Sequence, residues 1–500
     1  MINFLKKSIA KIWAKNHVAK TEDFKNNAEV LQEKLLLDLV KKSEKTLFGL
    51  QHNFSEIKSV EDFQKNVKIS DYEDLKPFVE KVKHGDKNIL WPEKPEYFAK
   101  TSGTTSGTKY IPLTKEGMDY QVKAAQSALF HYIAQKNNAD FVNGKMIFLQ
   151  GSPELEDIND IKTGRLSGIV AHHIPKYLQK NRLPSYETNC IEDWETKVDK
   201  IVEETEKENM TLISGIPPWL IMYFEKLIER NGKKIKQLFP NLQLIVTGGV
   251  NYEPYREKME ELLGGKVDII QTFPASEGFF AFQDDYEKEG LLLQTNHGIF
   301  YEFIPLELYG KPDAPRLTLK EVELNKDYAL ILTTNSGLWA YSIGDVVRFI
   351  SKNPHRILVS GRTKHFTSAF GEHVIAFEVE EAMKATVEKF PAQITEFHLA
   401  PHVNPENGEL PYHEWFIEFE KEPENLEDFR QNLDAEMRKR NTYYDDLIAG
   451  NILQVLKITK LQKNAFQEYA KSEGKLGGQN KIPRLANDRK IGDFLKNFKI

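Results

Sequence analysis

Between Thr101 and Thr108 the chain carries six hydroxyl side chains and two glycines, and Lys109 follows at once. Glycines let a backbone turn its N–H groups toward an anion and approach it closely. Hydroxyls add short donors, and a lysine adds a mobile point charge suited to phosphate. The composition is that of a polyphosphate cradle. Its spacing is not the Walker pattern G-x-x-x-x-G-K-[ST]: Gly103 and Gly107 enclose three residues, and Tyr110 stands where the magnesium-binding hydroxyl would be. Surface loops rich in Ser, Thr and Gly share this composition, so the stretch gains weight only from partners elsewhere.

Four such partners follow. Glu277, in Ser276-Glu277-Gly278, is a carboxylate beside a hydroxyl and a glycine. Near phosphates it suits magnesium, which takes a few carboxylates together with phosphate oxygens; the plain alternative is a helix-start carboxylate. Asp345, in Tyr341-Ser-Ile-Gly-Asp345, could accept from both hydroxyls of a ribose, or be an ordinary turn aspartate. Thr247-Gly248-Gly249 offers bare backbone for the face and edge of a purine, or simply ends a strand. Lys481 stands in a glycine-rich basic loop far along the chain, where most lysines are solvated surface charges. No Ser–His–Asp nucleophile is evident. His172 and His173 are adjacent and so point apart on any regular element. His365 and His373 are candidate bases, with structural roles the expected ones.

Periodicity outlines the helices and strands that carry these residues. Residues 2–20 suggest an amphipathic helix with Ile9, Ile12 and Trp13 among lysines, expected to pack on the body rather than to serve as a membrane-surface or targeting helix. A second helix runs through 30–40, and a third begins at Ser70, which has capping-box spacing to Glu73. Short β-rich runs at 146–149, 212–214, 242–246 and 267–270 alternate with helical patterns at 115–135, 191–209, 218–238 and 253–263. That alternation predicts an α/β fold with a mostly parallel sheet, where ligands gather beyond the carboxyl ends of strands. From 290 to 350 strand follows strand, a β-rich section. Beyond residue 361 a helix at 376–390, strands at 394–400 and 413–420, a helix at 425–440 and a strand at 452–458 predict a small α+β domain. The expected division is 1–360 and 361–500.

Composition sets the outer bounds. Five hundred residues suggest more than one domain. A net charge of −6 leaves no basic stripe for nucleic acid. Cys190 is the single cysteine, which excludes an internal disulfide framework and a thiolate zinc cluster. No run approaches the ~18 apolar residues of a membrane span. A soluble, cytoplasmic protein is expected.

Taken in order, Thr101–Lys109, Thr247–Gly249, Ser276–Gly278, Gly344–Asp345, Gly361–Arg362 and the loop holding Lys481 resemble the adenylate-forming superfamily of acyl-CoA synthetases and firefly luciferase. Thr101–Pro112, Ala275–Gly278, Tyr341–Asp345 and Gly477–Arg484 are similar to the plant auxin-responsive (Gretchen Hagen type) acyl acid amido synthetases and their bacterial relatives. The resemblance covers residue 70 to the C-terminus and is specific as an ordered set. It implies a large N-terminal and a small mobile C-terminal domain with the active site at their interface. ATP and a small carboxylic acid would give an acyl-adenylate, which an amine, an amino acid by expectation, would convert to an amide. Ser102, Thr104, Thr105, Ser106, Gly107 and Lys109 would hold the β- and γ-phosphates, Glu277 would bind Mg2+, and Asp345 the ribose. Gly248 and Gly249 would flank adenine with Ser276 nearby, Arg362 would lie at or near the hinge, and Lys481 would act on the α-phosphate and carboxylate. A monomer or homodimer is expected. Ser342 stands where the plant pattern has arginine, and Ala275 where plants commonly have serine, so plant acyl substrates do not carry over. Candidate walls of an acyl pocket are Trp219, Phe279, Phe280 and Trp339. Two rivals remain: a CoA ligase, disfavoured because the usual P-K-T ending is absent, and a nucleotide-binding protein without turnover. Joint retention of Lys109, Glu277, Asp345 and Lys481 argues against the second.

Overall fold

The computed structural model describes the chain except residues 1, 103–107, 175–178, 192, 250–251, 253–254, 364–365, 368, 371–373, 404, 406–408, 450–451, 475–481 and 487. The described residues form two compact units, Met1–Gly249 with Gly265–Leu358, and Val250–Gly264 with Val359–Ile500.

The first unit is built on an eleven-stranded sheet. Lys145–Phe148, Met210–Ser214, Leu244–Gly248 and Asp268–Ala275 run parallel, as their alternation with helices requires. At Asp268–Ala275 the chain doubles back into Gly278–Phe282, and the sheet continues antiparallel through Leu291–Leu293, with the pair Asp327–Thr334 and Tyr341–Lys352 farther along. The helix Lys115–Lys136 lays Ala124, Ala128 and Tyr132 over Met146, Leu212, Leu244 and Ile270 of the parallel strands. The small residues at 124 and 128 let it approach the sheet. A separate four-stranded sheet holds Tyr97–Ser102 and Thr108–Leu113.

Two sequence expectations change here. The helix Tyr72–Lys83 is capped by Asp71, whose carboxylate accepts from the Glu73 and Asp74 N–H groups while Asp74 completes the capping box. Ser70 is used elsewhere: its hydroxyl donates to the Trp339 carbonyl at 2.9 Å and its backbone bridges Tyr341. The last strand of the small unit is Lys457–Leu461, several residues beyond the apolar run that suggested it. In the N-terminal helix Ile2–Asn26, Ala14 and Phe24 are buried while Ile9, Ile12 and Trp13 stay exposed. Among the described residues no helix is long and apolar enough to cross a membrane.

The second unit is a three-stranded sheet, Gln393–His402, Tyr412–Lys421 and Lys457–Leu461, covered by the helices Ala376–Lys389 and Leu426–Arg440. Val379, Phe397, Trp415, Phe429 and Leu433 fill its core. The charged Arg484 side chain sits against that core. The Arg484 guanidinium ion-pairs with Glu396, donates to Glu380 at 3.3 Å and to the Tyr255 hydroxyl at 3.0 Å, and lies 4.4 Å from the Phe397 ring centre. Its backbone accepts from the Leu399 N–H at 2.8 Å, so residues 484–486 lie along the strand Gln393–His402. Removing one member of a buried charge set strands the others without counter-charge. Arg484→Met should therefore destabilise this unit by about 3–5 kcal/mol, read as faster hydrogen exchange in Gln393–His402, with exchange in Leu244–Gly248 unchanged.

Candidate active site

The phosphate candidate is the link of a β-hairpin. Tyr97–Ser102 and Thr108–Leu113 pair antiparallel, with Thr101 opposite Lys109 and Ser102 opposite Thr108 as the last pair. Thr104, Thr105, Ser106 and Gly107 lie outside the described residues, and only the backbone of Ser102 is described. The hairpin stem is held by the helix Tyr72–Lys83. The Tyr110 N–H donates to the Tyr72 hydroxyl at 2.8 Å, and the Lys109 ammonium lies 5.5 Å from the Tyr72 ring centre. Burial pushes the Tyr72 phenol above its ordinary value, so it stays neutral under that cation.

Glu277 is at a turn of a different kind from the helix start considered above. Ala275 pairs with Gly278, so Ser276 and Glu277 form a two-residue hairpin turn. A Cβ at Gly278 would come within 2.3 Å of Ile299 Cδ1, which keeps that position small and packs the turn against the Ile299 side chain. Gly248 ends its strand opposite Thr272, and a Cβ there would meet Thr272 Oγ1 at 2.4 Å and its carbonyl oxygen at 2.5 Å. Close strand packing alone demands that glycine. Gly249 then turns the chain at φ +81°. Asp345 lies in the strand Tyr341–Lys352 just after Gly344, whose φ is +85°. Between Val346, paired with Ala329, and Ser342, paired with Ile331, the register slips. The bulge at 343–345 re-aims the aspartate relative to the ladder, a common device beside active sites.

The structure thus sets Lys109, Gly248, Gly249, Ser276, Glu277 and Asp345 in the first unit, on strand ends, a turn and a bulge. Arg362 ends the strand His355–Arg362 in the second unit. Lys481, His365 and His373 lie outside the described residues. His172 and His173 do point apart, to the Pro153 carbonyl and the Tyr97 hydroxyl respectively. Of the proposed acyl walls, Phe279 borders a cleft beside Glu277. Trp339 is core: it packs against Phe48, Phe54 and Trp91 and donates its indole N–H to the Leu90 carbonyl at 2.9 Å. Phe280 is fully buried against Phe273 and Tyr301, and Trp219 is buried at the start of the helix Pro217–Asn231.

That cleft exposes residues the sequence reading passed over. Tyr120 and Gln121 from the first turns of Lys115–Lys136, His297, and Asn335 line it with Glu277 and Phe279. Burial holds the His297 imidazole down at about 4, so it is neutral at physiological pH. The only sequence signal was a His-Gly pair ahead of a strand, which is weak.

The fold is that of adenylate-forming ligases: it superposes on an acyl acid amido synthetase, AtGH3.15, with a TM-score of 0.79 over 97% of this chain and 96% of that one at 17% identity. It superposes on 2-hydroxyisobutyryl-CoA ligase with a TM-score of 0.62, covering 93% and 90% at 13% identity. Within that class the chain belongs to the GH3 family, matching its N-terminal domain at residues 17–181 and 159–269, its central domain at 292–362 and its C-terminal domain at 377–490. It is 22% identical to a probable indole-3-acetic acid-amido synthetase, GH3.1, of Arabidopsis thaliana, over 95% of this chain and 92% of that one.

Gly344 carries the most direct structural test of the ribose assignment. An alanine at φ +85° is strained by about 1 kcal/mol. Gly344→Ala should shift the bulge, raise the Kd for ATP severalfold in calorimetry, and lower Tm only slightly.

Proposed function

We propose that this chain is an ATP-dependent acyl acid amido synthetase that works in two half-reactions. In the first, a carboxylate oxygen of a small acid attacks the α-phosphorus of ATP, forming an acyl-adenylate and releasing pyrophosphate. In the second, the nitrogen of an amine, an amino acid by class, attacks the acyl carbon; the C–O bond breaks, AMP leaves and the nitrogen loses a proton. The observation that carries this reading is the family match along nearly the whole chain, together with a phosphate-type hairpin, a turn carboxylate and a bulge carboxylate on one unit.

Two anions must meet in the first step, so donors and cations supply most of the catalysis. The hydroxyls and backbone of 102–107 and the ammonium of Lys109 bind the β- and γ-phosphates and draw charge toward the leaving pyrophosphate. Asp345 accepts from the ribose hydroxyls. The backbone of Gly248 and Gly249 flanks the adenine at a strand end, with Ser276 beside it, and Arg362 belongs with the nucleotide set. Lys481 neutralises charge between the attacking carboxylate and the α-phosphate. A single half-exposed carboxylate on a rigid turn fits magnesium, which completes its coordination with phosphate oxygens and water. Glu277 is the residue that would hold Mg2+, whose charge screens the phosphates when bound. The two domains are read as 1–360 and 361–500, and the protein as a cytoplasmic monomer or homodimer.

Lys481→Ala should lower carboxylate-dependent exchange of labelled pyrophosphate into ATP by about a hundredfold or more, as loss of a key electrostatic group does. Its Kd for ATP should change little. Wild-type exchange in that variant contradicts the lysine's role; transfer to coenzyme A rather than to amino acids would favour a thioester ligase.

A further inference from the structure

The cleft beside Glu277 is small, and polar and apolar side chains share its lining. Its enclosed space is about 10 Å3, room for about one water-sized group and far below the several hundred Å3 usual for drug-sized ligands. Its rear is fixed by backbone. The Asn335 N–H donates to the Gly298 carbonyl at 2.9 Å, and the Asn335 carbonyl accepts from the Thr114 hydroxyl at 3.0 Å. The Thr114 N–H in turn donates to the Ser336 hydroxyl at 3.2 Å. Gly298, at φ +74°, lets the Asn335 amide come close, since a Cβ there would lie 2.5 Å from Nδ2 and 3.0 Å from the Tyr120 ring. The loop at 335–336 is thus locked through backbone and hydroxyl groups, and Asn335 Nδ2 takes no part in locking it.

Two buried polar atoms at this cleft have no hydrogen-bond partner among the described residues: Asn335 Nδ2 and His297 Nδ1. A buried polar group without a partner costs about 1–3 kcal/mol. Such a cost at two lining residues of one cleft is accounted for when a ligand supplies the missing partners. The amide is a donor, and a neutral imidazole nitrogen donates or accepts according to its tautomer. Both functions are met by an oxygen substituent, a hydroxyl or a keto group. Neither is met by a plain hydrocarbon chain or a large apolar ring.

Resting on the amido synthetase reading, we infer that the acid this chain activates is a short hydroxy or keto acid, its extra oxygen held by His297 and Asn335 in the cleft beside Glu277. The carboxylate faces the nucleotide side at Glu277, and Phe279 covers the short carbon skeleton. His297 and Asn335 are specificity residues here, and they take no part in bond making.

The test is pyrophosphate exchange with three matched sets: short hydroxy and keto acids, alkanoates of equal chain length lacking the oxygen, and bulky acids such as indole-3-acetate and long-chain fatty acids. The expected result is kcat/KM at least about tenfold higher for the oxygenated short acids than for their alkanoate partners, because a site built to bond a hydroxyl rejects the analogue lacking it. His297→Phe and Asn335→Leu, close in shape, should bring that ratio toward one while retaining exchange with the alkanoates and the wild-type Tm. Equal or better exchange with alkanoates or bulky acids in the native protein overturns this inference and leaves the amido synthetase reading standing. An unchanged ratio in both folded variants also overturns it. Silence with every acid, with ATP binding intact, overturns the adenylation reading and this inference with it.

Discussion

The pairing of Gly248 with Thr272 is the constraint on which the site depends. It joins two parallel strands so closely that no side chain fits at 248. The same pairing fixes the register of Asp268–Ala275, and that strand passes directly into the turn bearing Glu277. A slip of one residue would send every side chain of the strand to the opposite face, moving the carboxylate with it. The turn Thr247–Gly249 and the carboxylate turn are therefore set by one strand pair. The hydrophobic cover from Lys115–Lys136 holds that pair in place, since Leu244 and Ile270 both pack beneath it.

Around this frame the candidate ligands share one habit: each sits where regular structure is interrupted. Lys109 follows a hairpin link, Glu277 occupies a two-residue turn, and Asp345 belongs to a bulge opened by Gly344. Interruptions free backbone groups and re-aim side chains while the flanking ladders keep them rigid. The arrangement suits a reaction whose difficulty is charge rather than nucleophilicity. A carboxylate must approach a triphosphate, and fixed donors and cations lower that barrier without a general base.

Much of this was legible in the residues. Apolar runs of strand length at 146–149, 212–214 and 242–246 correspond to Lys145–Phe148, Met210–Ser214 and Leu244–Gly248, because buried parallel strands are nearly continuous in hydrophobicity. The ordered motifs also led to the family. A turn after the strand was legible at Ser276–Glu277, but its tightness and the antiparallel return through Gly278–Phe282 were not, because a carboxylate between a hydroxyl and a glycine equally suits a helix start. Ser70 was misread as a cap because Asp71 beside it satisfies the same spacing rule, and only the long-range bridge to Tyr341 decides between them. His297 and Asn335 were missed for a similar reason. Nothing local marks a polar residue whose importance comes from a cleft assembled from four separate segments. Trp339 shows the converse error, an aromatic near a motif that belongs wholly to the core.

The most direct test of the account follows the oxygen atoms. With an acid that supports turnover, labelled with oxygen-18 in its carboxylate, the reaction is run to completion with an amino acid, and the AMP, pyrophosphate and amide are analysed by mass spectrometry. An acyl-adenylate route leaves one labelled oxygen in AMP, none in pyrophosphate, and one fewer in the product than in the starting carboxylate. Label in inorganic phosphate with ADP as co-product would mean activation as an acyl phosphate, and AMP free of label would mean that no acyl-adenylate forms; either result contradicts the account.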